Sequence, residues 1–270
     1  MNDIEKIIEI IKESKKTVFF GGAGVSTESG IKDFRSKDGL YSEQYAFPPE
    51  EILSHHFFYT NPKYFYKFYR EKLNPTGYKP NVVHKTLALM EEKGLLSSII
   101  TQNIDGLHEM AHSKNVLNLH GTVYSNTCTQ CHKKYDLKYV LESKEIPLCS
   151  CGGIIKPDVV LYEEPLDYET LDKAIREIKS ADTLIIGGTS LLVYPAASLI
   201  NYFNGKHIIL INKEETKSDY KADIVIHDKL GNVFKKIKDA ITNLYHLFRL
   251  IIFFSFLIPR YFISNNINYY

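Results

Sequence analysis

The sequence has no charge of one sign to spare: 33 Lys and Arg stand against 32 Asp and Glu, a net charge of +1 over 270 residues. Such a weak field gives no long-range pull towards nucleic acid or an anionic membrane. No basic cluster with interleaved aromatics supplies a local one, so no direct nucleic-acid partner is expected. The N-terminal stretch MNDIEKIIEIIKESKK has no uninterrupted apolar run, because acids and lysines break it up, and this excludes a signal peptide. The expectation is a cytoplasmic protein. Cysteine is scarce, and in that compartment four thiols favour a metal over disulfides.

What is present is the composition of a globular protein, 44% hydrophobic and 24% charged. The length suits one large domain, or a large one carrying a smaller one. Ile4, Ile7, Ile8 and Ile11 recur at helical spacing. Short apolar strands are predicted at Thr17–Phe20, Leu96–Thr101, Val116–Leu119, Thr183–Ile186, His207–Ile211 and Ala222–Ile226, with a further apolar run at Asp158–Tyr162. Helices are predicted from the cap at Asn81 to Lys93, over Tyr168–Lys179, over Pro195–Phe203 and over Gly231–Leu244. Strands alternating with helices imply an α/β fold, a doubly wound, Rossmann-like parallel sheet. The aromatic stretch from Tyr41 to Tyr78 reads as helices inserted after the first βα unit.

The first strand runs into Gly21-Gly22-Ala23-Gly24, with hydroxyls at Ser26, Thr27 and Ser29. Small residues there let backbone N–H groups approach a phosphate, and a helix starting after Gly24 would favour the same anion. The pattern G-x-G-x-x-G is incomplete, since Thr27 stands at the third glycine; alone it fits any tight β–α turn. Cys128, Cys131, Cys149 and Cys151 form C-x2-C and C-x-C pairs that can wrap one structural Zn²⁺ with four thiolates in a small inserted zinc ribbon. Other polar groups follow strands: Gln102, Asn103, Ile104 and Asp105; His120; Gly188, Thr189 and Ser190; and Asn212. In a parallel sheet those ends line one crevice. A histidine there can act as a general base near neutral pH, or make a structural hydrogen bond.

In combination these motifs resemble the sirtuin family of NAD-dependent protein deacylases, bacterial members most of all. The matching segments are Gly22-Ala23-Gly24-Val25-Ser26, Ser29-Gly30-Ile31, Asp33-Phe34-Arg35, Thr101-Gln102-Asn103-Ile104-Asp105, Leu119-His120-Gly121, the four cysteines, Gly188-Thr189-Ser190 and Ile211-Asn212. The resemblance implies an NAD-dependent protein-lysine deacetylase that releases nicotinamide and O-acetyl-ADP-ribose. It implies His120 as general base with Asn103 beside it. Ala23, Gly24, Thr27, Phe34, Arg35, Gln102, Ile104, Asp105, Gly188, Thr189, Ser190, Asn212, Lys229 and Leu230 would contact NAD. Val159, Val160 and Leu161 would pair with an acetylated peptide. A mono-ADP-ribosyltransferase and a non-enzymatic NAD-binding zinc-ribbon scaffold are the competing expectations.

Three positions depart from the family pattern. Lys32 replaces a usual proline, Glu163 replaces a usual glycine, and Tyr69 is followed by Lys72 where members that remove acidic acyl groups carry Tyr-x-x-Arg. Lysine cannot fork onto a carboxylate as arginine does, so neutral acyl groups are expected, acetyl first. The catalytic region is expected at 1–243, with inserts at about 36–80 and 123–156. The apolar tail 244–270 matches nothing in the family and is too short and too interrupted to favour a membrane anchor.

Overall fold

A computed structural model describes residues 2–36 and 38–243; the tail at 244–270 lies outside the described residues, and so does Lys37. The helices are α1 (Asp3–Glu13), α2 (Pro49–Ile52), α3 (His55–Thr60), α4 (Pro62–Lys72), α5 (Val82–Glu92), α6 (Leu107–Met110), α7 (Leu137–Glu142) and α8 (Tyr168–Ser180). A further helix covers residues 230–243. The strands are β1 (Thr17–Gly21), β2 (Ser98–Thr101), β3 (Val116–Asn118), β4 (Gly121–Cys128), β5 (Lys134–Asp136), β6 (Ile155–Val159), β7 (Thr183–Gly187), β8 (His207–Ile211) and β9 (Ile224–Ile226).

Six strands form a parallel sheet in the order β3-β2-β1-β7-β8-β9. Side chains alternate across it. Phe19, Ile99, Ile185 and Ile209 face α1, α5 and the 230–243 helix, through Ile7, Ile11, Leu87, Met90, Phe234 and Ile237. Val18, Phe20, Ile100, Leu184, Ile186 and Leu210 face α8 and the segment after Pro195. The strand order reverses between β1 and β7, where such sheets open a crevice. Register brings Gly21 level with both Thr101 and Gly187, and Gly187 level with Ile211. Four strands therefore end at one height.

The two inserts share one apolar core. Phe57, Phe58, Phe65, Tyr66, Phe68 and Tyr69 of the helical insert pack against Val123, Leu137, Val140, Ile155 and Val159 of the ribbon. The ribbon is the antiparallel sheet β5-β4-β6. Arg70 ties α4 to α7, its Nε donating to the Val140 carbonyl at 3.1 Å.

One predicted helix differs in kind, and the turn after β1, left open as a possible helix start, is settled. After Gly24 there is no α-helix but a pair of 3-10 turns, Ala23–Val25 and Thr27–Ser29, the second closed by Gly30 at φ 96°. Pro195–Phe203 contains a 3-10 helix, Ala196–Tyr202. The run Asp158–Tyr162 contributes only its start to β6, which begins earlier, at Ile155. Among the described residues no helix is long and apolar enough to cross a membrane.

Candidate active site

The crevice is built first from backbone. Gly24 donates its N–H to the Gly188 carbonyl at 2.8 Å, and Gly188 sits at φ 60°. A Cβ on Gly24 would lie 2.8 Å from the Gly188 Cα, and one on Gly188 would lie 2.6 Å from the Val25 nitrogen. The turns after β1 and β7 thus interlock at their glycines, with no room for a side chain on either. Thr27 Oγ1 donates to the Gly24 carbonyl at 3.0 Å. Thr189, almost fully buried, has an Oγ1 that accepts from Gln102 Nε2 at 3.1 Å and from the Leu191 N–H at 3.2 Å.

Behind these turns lies a buried polar cluster. Ser26 Oγ donates to Asp105 Oδ2 at 2.6 Å and accepts from Asn103 Nδ2 at 3.1 Å. Asp105 Oδ1 accepts the Leu107 N–H at 2.9 Å. Burial raises the Asp105 pKa, against the lowering effect of those two hydrogen bonds. His84 Nδ1 lies 3.3 Å from the Asn81 nitrogen and 3.1 Å from Asn81 Oδ1, and its Nε2 lies 3.5 Å from Ser26 Oγ. Asn81 also donates from its side chain to the Val25 carbonyl at 2.8 Å, so one helix cap anchors the turn.

His120 follows β3. Its Nδ1–H donates to the Gln102 carbonyl at 2.9 Å, which fixes the tautomer and leaves Nε2 with a bare lone pair. Burial lowers its pKa from 6.5, partly offset by that bond, so the imidazole is neutral at pH 7. The His120 carbonyl accepts the Val160 N–H at 2.9 Å, which fastens the end of β6 beside the imidazole. At Gly121, φ 74°, a Cβ would strike the Asp158 carbonyl, so the close crossing of β4 and β6 requires glycine. Val159 and Leu161 are buried in the small-lobe core, and the Leu161 N–H is taken by Glu164 Oε2 at 2.9 Å.

The segment carrying Phe34 and Arg35 folds back on itself. Leu40 and Tyr41 donate to the Asp33 and Phe34 carbonyls at 2.8 and 2.9 Å. Arg35 lies 5.1 Å from the centre of the Tyr41 ring and donates to Tyr162 OH at 3.2 Å, and the two tyrosine hydroxyls meet at 2.7 Å.

The four cysteine sulfurs all lie within 4.8 Å of one another, with Cys128–Cys151 and Cys131–Cys149 at 3.5 Å. A tetrahedron of Zn–S bonds of about 2.3 Å has edges of about 3.8 Å, so the thiol set fits that ion. A Cβ on Gly153 would lie 2.7 Å from the Cys128 sulfur, which is why the second knuckle turns on glycine.

The family model described as Sir2 family matches residues 22–195. The chain belongs to the Sir2 family. It is 59% identical over 240 residues to a protein of Clostridium perfringens named NAD-dependent protein deacetylase, covering 87% of this chain and 98% of the relative. A protein of the same name from Clostridium acetobutylicum is 53% identical, covering 88% and 98%. Among solved structures, a Sir2 complex with a p53 peptide and NAD+ superposes with a TM-score of 0.80 at 37% identity, covering 88% of this chain and 98% of that one.

For this Sir2-family chain the structure gathers Ala23, Gly24 and Thr27, Gln102 to Asp105, His120, and Gly188 to Ser190 around the strand ends, from the turns after four strands, β1, β2, β3 and β7. Asn212 follows β8 and donates from its side chain to the Glu214 carbonyl at 2.7 Å. Leu230 is different: its side chain is buried in the sheet core against Gly187, so only its backbone could meet a ligand. Ser26, His84, Tyr41 and Tyr162 were not expected as site residues. Their partners are 58 to 127 positions away in sequence, beyond any local pattern.

Proposed function

We propose that this chain is an NAD-dependent protein-lysine deacetylase with His120 as its general base. One observation carries the reading: at the strand ends the His120 Nδ1–H is held by the Gln102 carbonyl, which leaves Nε2 to act as a base, while the His120 carbonyl holds the Val160 N–H. The acyl oxygen of an acetyl-lysine attacks the anomeric carbon of NAD, and nicotinamide leaves with the bonding pair. His120 then takes the proton of a ribose hydroxyl, which attacks the acyl carbon; the acyl C–N bond breaks, the lysine leaves as its protonated amine, and a water adds to the acyl carbon so that the acetyl group is released on the sugar as O-acetyl-ADP-ribose. Asn103 and Gln102 hold the ribose and its water. Asp105 and Ile104 take the nicotinamide amide, with Asp105 oriented by Ser26 and Leu107. Phe34 covers the anomeric carbon. Ala23, Gly24, Thr27 and Arg35 serve the phosphates and the neighbouring ribose. Gly188, Thr189, Ser190, Asn212, Lys229 and the backbone of Leu230 serve the adenosine half.

The acetylated peptide pairs along Val159, Val160 and Leu161. The His120 carbonyl holds the Val160 N–H and Glu164 holds the Leu161 N–H, so pairing there would start from the Val160 carbonyl. Cys128, Cys131, Cys149 and Cys151 would hold one structural Zn²⁺, which fixes the ribbon and supplies no catalytic step. We read 1–243 as the catalytic region with inserts at about 36–80 and 123–156, and 244–270 as a separate tail. Four thiols gathered for a metal suit a reducing compartment, so a cytoplasmic location is part of the proposal.

The test is incubation with NAD and an acetylated peptide, following nicotinamide release and peptide mass together. Loss of 42 Da, about one acetyl group, is expected. A gain of ADP-ribose mass on the peptide would instead mark a transferase, and no NAD consumption would mark a binding scaffold. His120→Ala is expected to lower turnover by about 10²-fold or more with zinc content unchanged. Equal activity in that variant overturns the assigned base.

A further inference from the structure

Lys32 stands where the family pattern expects proline, and its ammonium is not idle. It donates to Glu43 Oε1 at 2.8 Å, while Lys72, the last residue of α4, donates to Glu43 Oε2 at 2.6 Å. Tyr45 OH donates to the same Oε2 at 2.8 Å, and the Lys72 ammonium sits 5.5 Å from the centre of the Tyr45 ring. Tyr45 is itself fixed edge-on against Phe68 in the small-lobe core. One carboxylate is therefore held by two cations and a phenol. Hydrogen bonds from Lys32 first, then Lys72 and Tyr45, lower the Glu43 pKa to about 2.

The geometry makes this cluster a strap. Lys32 and Glu43 bracket the turn in which Asp33 and Phe34 bond back to Leu40 and Tyr41. Phe34 and Arg35 lie inside that bracket. Arg35 is tethered on the far side to Tyr162; the Glu43 strap is the tether on the near side, to α4. In a proline-bearing relative the fixed φ of the ring would stiffen the start of the segment. Here the constraint is electrostatic. The strap is only partly shielded, with Lys32 side-chain exposure at 56% and Glu43 at 28%, so salt can loosen it.

We propose that Glu43 is a positioning residue for the deacetylation reaction: it binds Lys32 to Lys72 and so holds the segment carrying Phe34 and Arg35 over the NAD crevice. This rests on the reading of that crevice given above. Glu43 touches neither substrate in this account, so its loss alters how often the segment is in place, not the chemistry once it is.

The experiment compares the parent with Glu43→Gln and, independently, Lys72→Gln, measuring KM for NAD and kcat separately at low salt and at 0.5 M NaCl, roughly five times the ionic strength at which the Debye length is about 10 Å. Each variant is expected to raise KM for NAD about 3- to 10-fold, with kcat within about 2-fold. Added salt should raise KM more in the parent than in the variants, since screening of the NAD phosphates is common to all and only the parent has the whole strap to lose. Lys32→Pro in the Glu43→Gln background should recover most of the lost affinity, because it replaces the strap by a fixed φ; among the described residues the Lys32 N–H has no acceptor for proline to remove. An unchanged KM in both variants, an equal salt response in parent and variants, or a fall in kcat with KM intact would each overturn the proposal while leaving the deacetylase reading standing. A parent that consumes no NAD overturns both.

Discussion

Glu163 occupies a left-handed backbone position at φ 75°, where a side chain is unfavourable. Relative to glycine, a non-glycine residue there costs about 1–2 kcal/mol. The chain recovers part of this through the Glu163 carboxylate, which accepts the His56 N–H at 2.9 Å at the first turn of α3. An exposed helix-capping bond of that kind contributes about 0.5–1 kcal/mol. The two effects have opposite sign and similar size, and this orders a substitution series. Glu163→Gly relieves the backbone and loses the cap, so its stability should lie within about 1 kcal/mol of the parent, tilted towards stabilisation. Glu163→Ala keeps the strain and loses the cap, and should be about 0.5–1 kcal/mol less stable than the parent, with Glu163→Gly above it by about 1–2 kcal/mol. For a region of this size each kcal/mol corresponds to about 2–4 °C in Tm. Thermal unfolding with the metal bound and buffer matched reads the series. Glu163→Ala equal to or more stable than Glu163→Gly would refute the argument, because the αL term would then be absent. The turn also follows the strand end at Val160, so KM for peptide should move less in Glu163→Gly than in Glu163→Ala.

Acid should weaken the fold well above the carboxylate range. Burial lowers the pKa of His84 to about 4, lowers that of His108 well below its usual value and lowers that of His120, so the unfolded chain takes up protons first as pH falls through 6.5. Stability present above pH 6.5 is then lost between 6.5 and about 4 for His84, at up to about 1.4 kcal/mol per pH unit per histidine; Asp105, whose pKa burial raises, opposes one of them. Tm should fall from pH 7 to pH 5 at fixed ionic strength, and a flat profile would contradict the burial of these rings. Purified protein should carry about one zinc per chain, and Cys131→Ser should lose it together with the near-UV dichroism of the small-lobe tyrosines, a signal that tryptophan cannot mask because the chain has none. On one peptide sequence, kcat/KM should be higher for the acetyl than for the succinyl form, since Lys72 is already engaged by Glu43; faster succinyl turnover would refute that.

The parallel sheet was legible because its strands are short apolar runs bounded by polar or small residues, fully buried in β1, β2 and β7 and partly buried towards the edges. His207–Ile211 matches β8 to the residue, and Thr17–Phe20 misses β1 only by Gly21. The α5 start at Asn81 was legible for a local reason as well, a side-chain cap on Val83. The apolar run Asp158–Tyr162 overlaps β6 only at its start, because the strand, Ile155–Val159, includes Lys156 and Pro157, which carry no apolar signal. β6 is the edge strand of the ribbon, where a residue without an N–H is tolerated. The four cysteines were legible because zinc knuckles are local in sequence. What was not legible is every tether that crosses between elements: Arg35 to Tyr162, Ser26 to Asp105, Lys72 to Glu43. Each joins residues whose types are common and whose separation no periodicity encodes. The three departures from the family pattern showed up as oddities in sequence. Only the contacts give them content: Lys32 and Lys72 share one carboxylate, and Glu163 caps a helix from a glycine position.

The missing third glycine after β1 has a structural cause that also bears on how phosphate charge is met. In a dinucleotide fold that glycine lets a helix pack closely on the strand that precedes it. Here no helix follows, only two 3-10 turns, so Thr27 meets no strand and spends its hydroxyl on the Gly24 carbonyl. Gly24 is required for a different reason, its contact with Gly188 across the point where the two halves of the sheet meet. Without an α-helix there is no accumulated helix dipole at this turn to set against an anion. Under the proposed reading the charge must be met by local N–H groups and by Arg35, a side chain on a segment with little secondary structure of its own. A guanidinium on such a segment is useful only if it is held in place. That is the physical sense of its two-sided anchoring, by Tyr41 and Tyr162 on one side and by the Lys32–Glu43–Lys72 strap on the other.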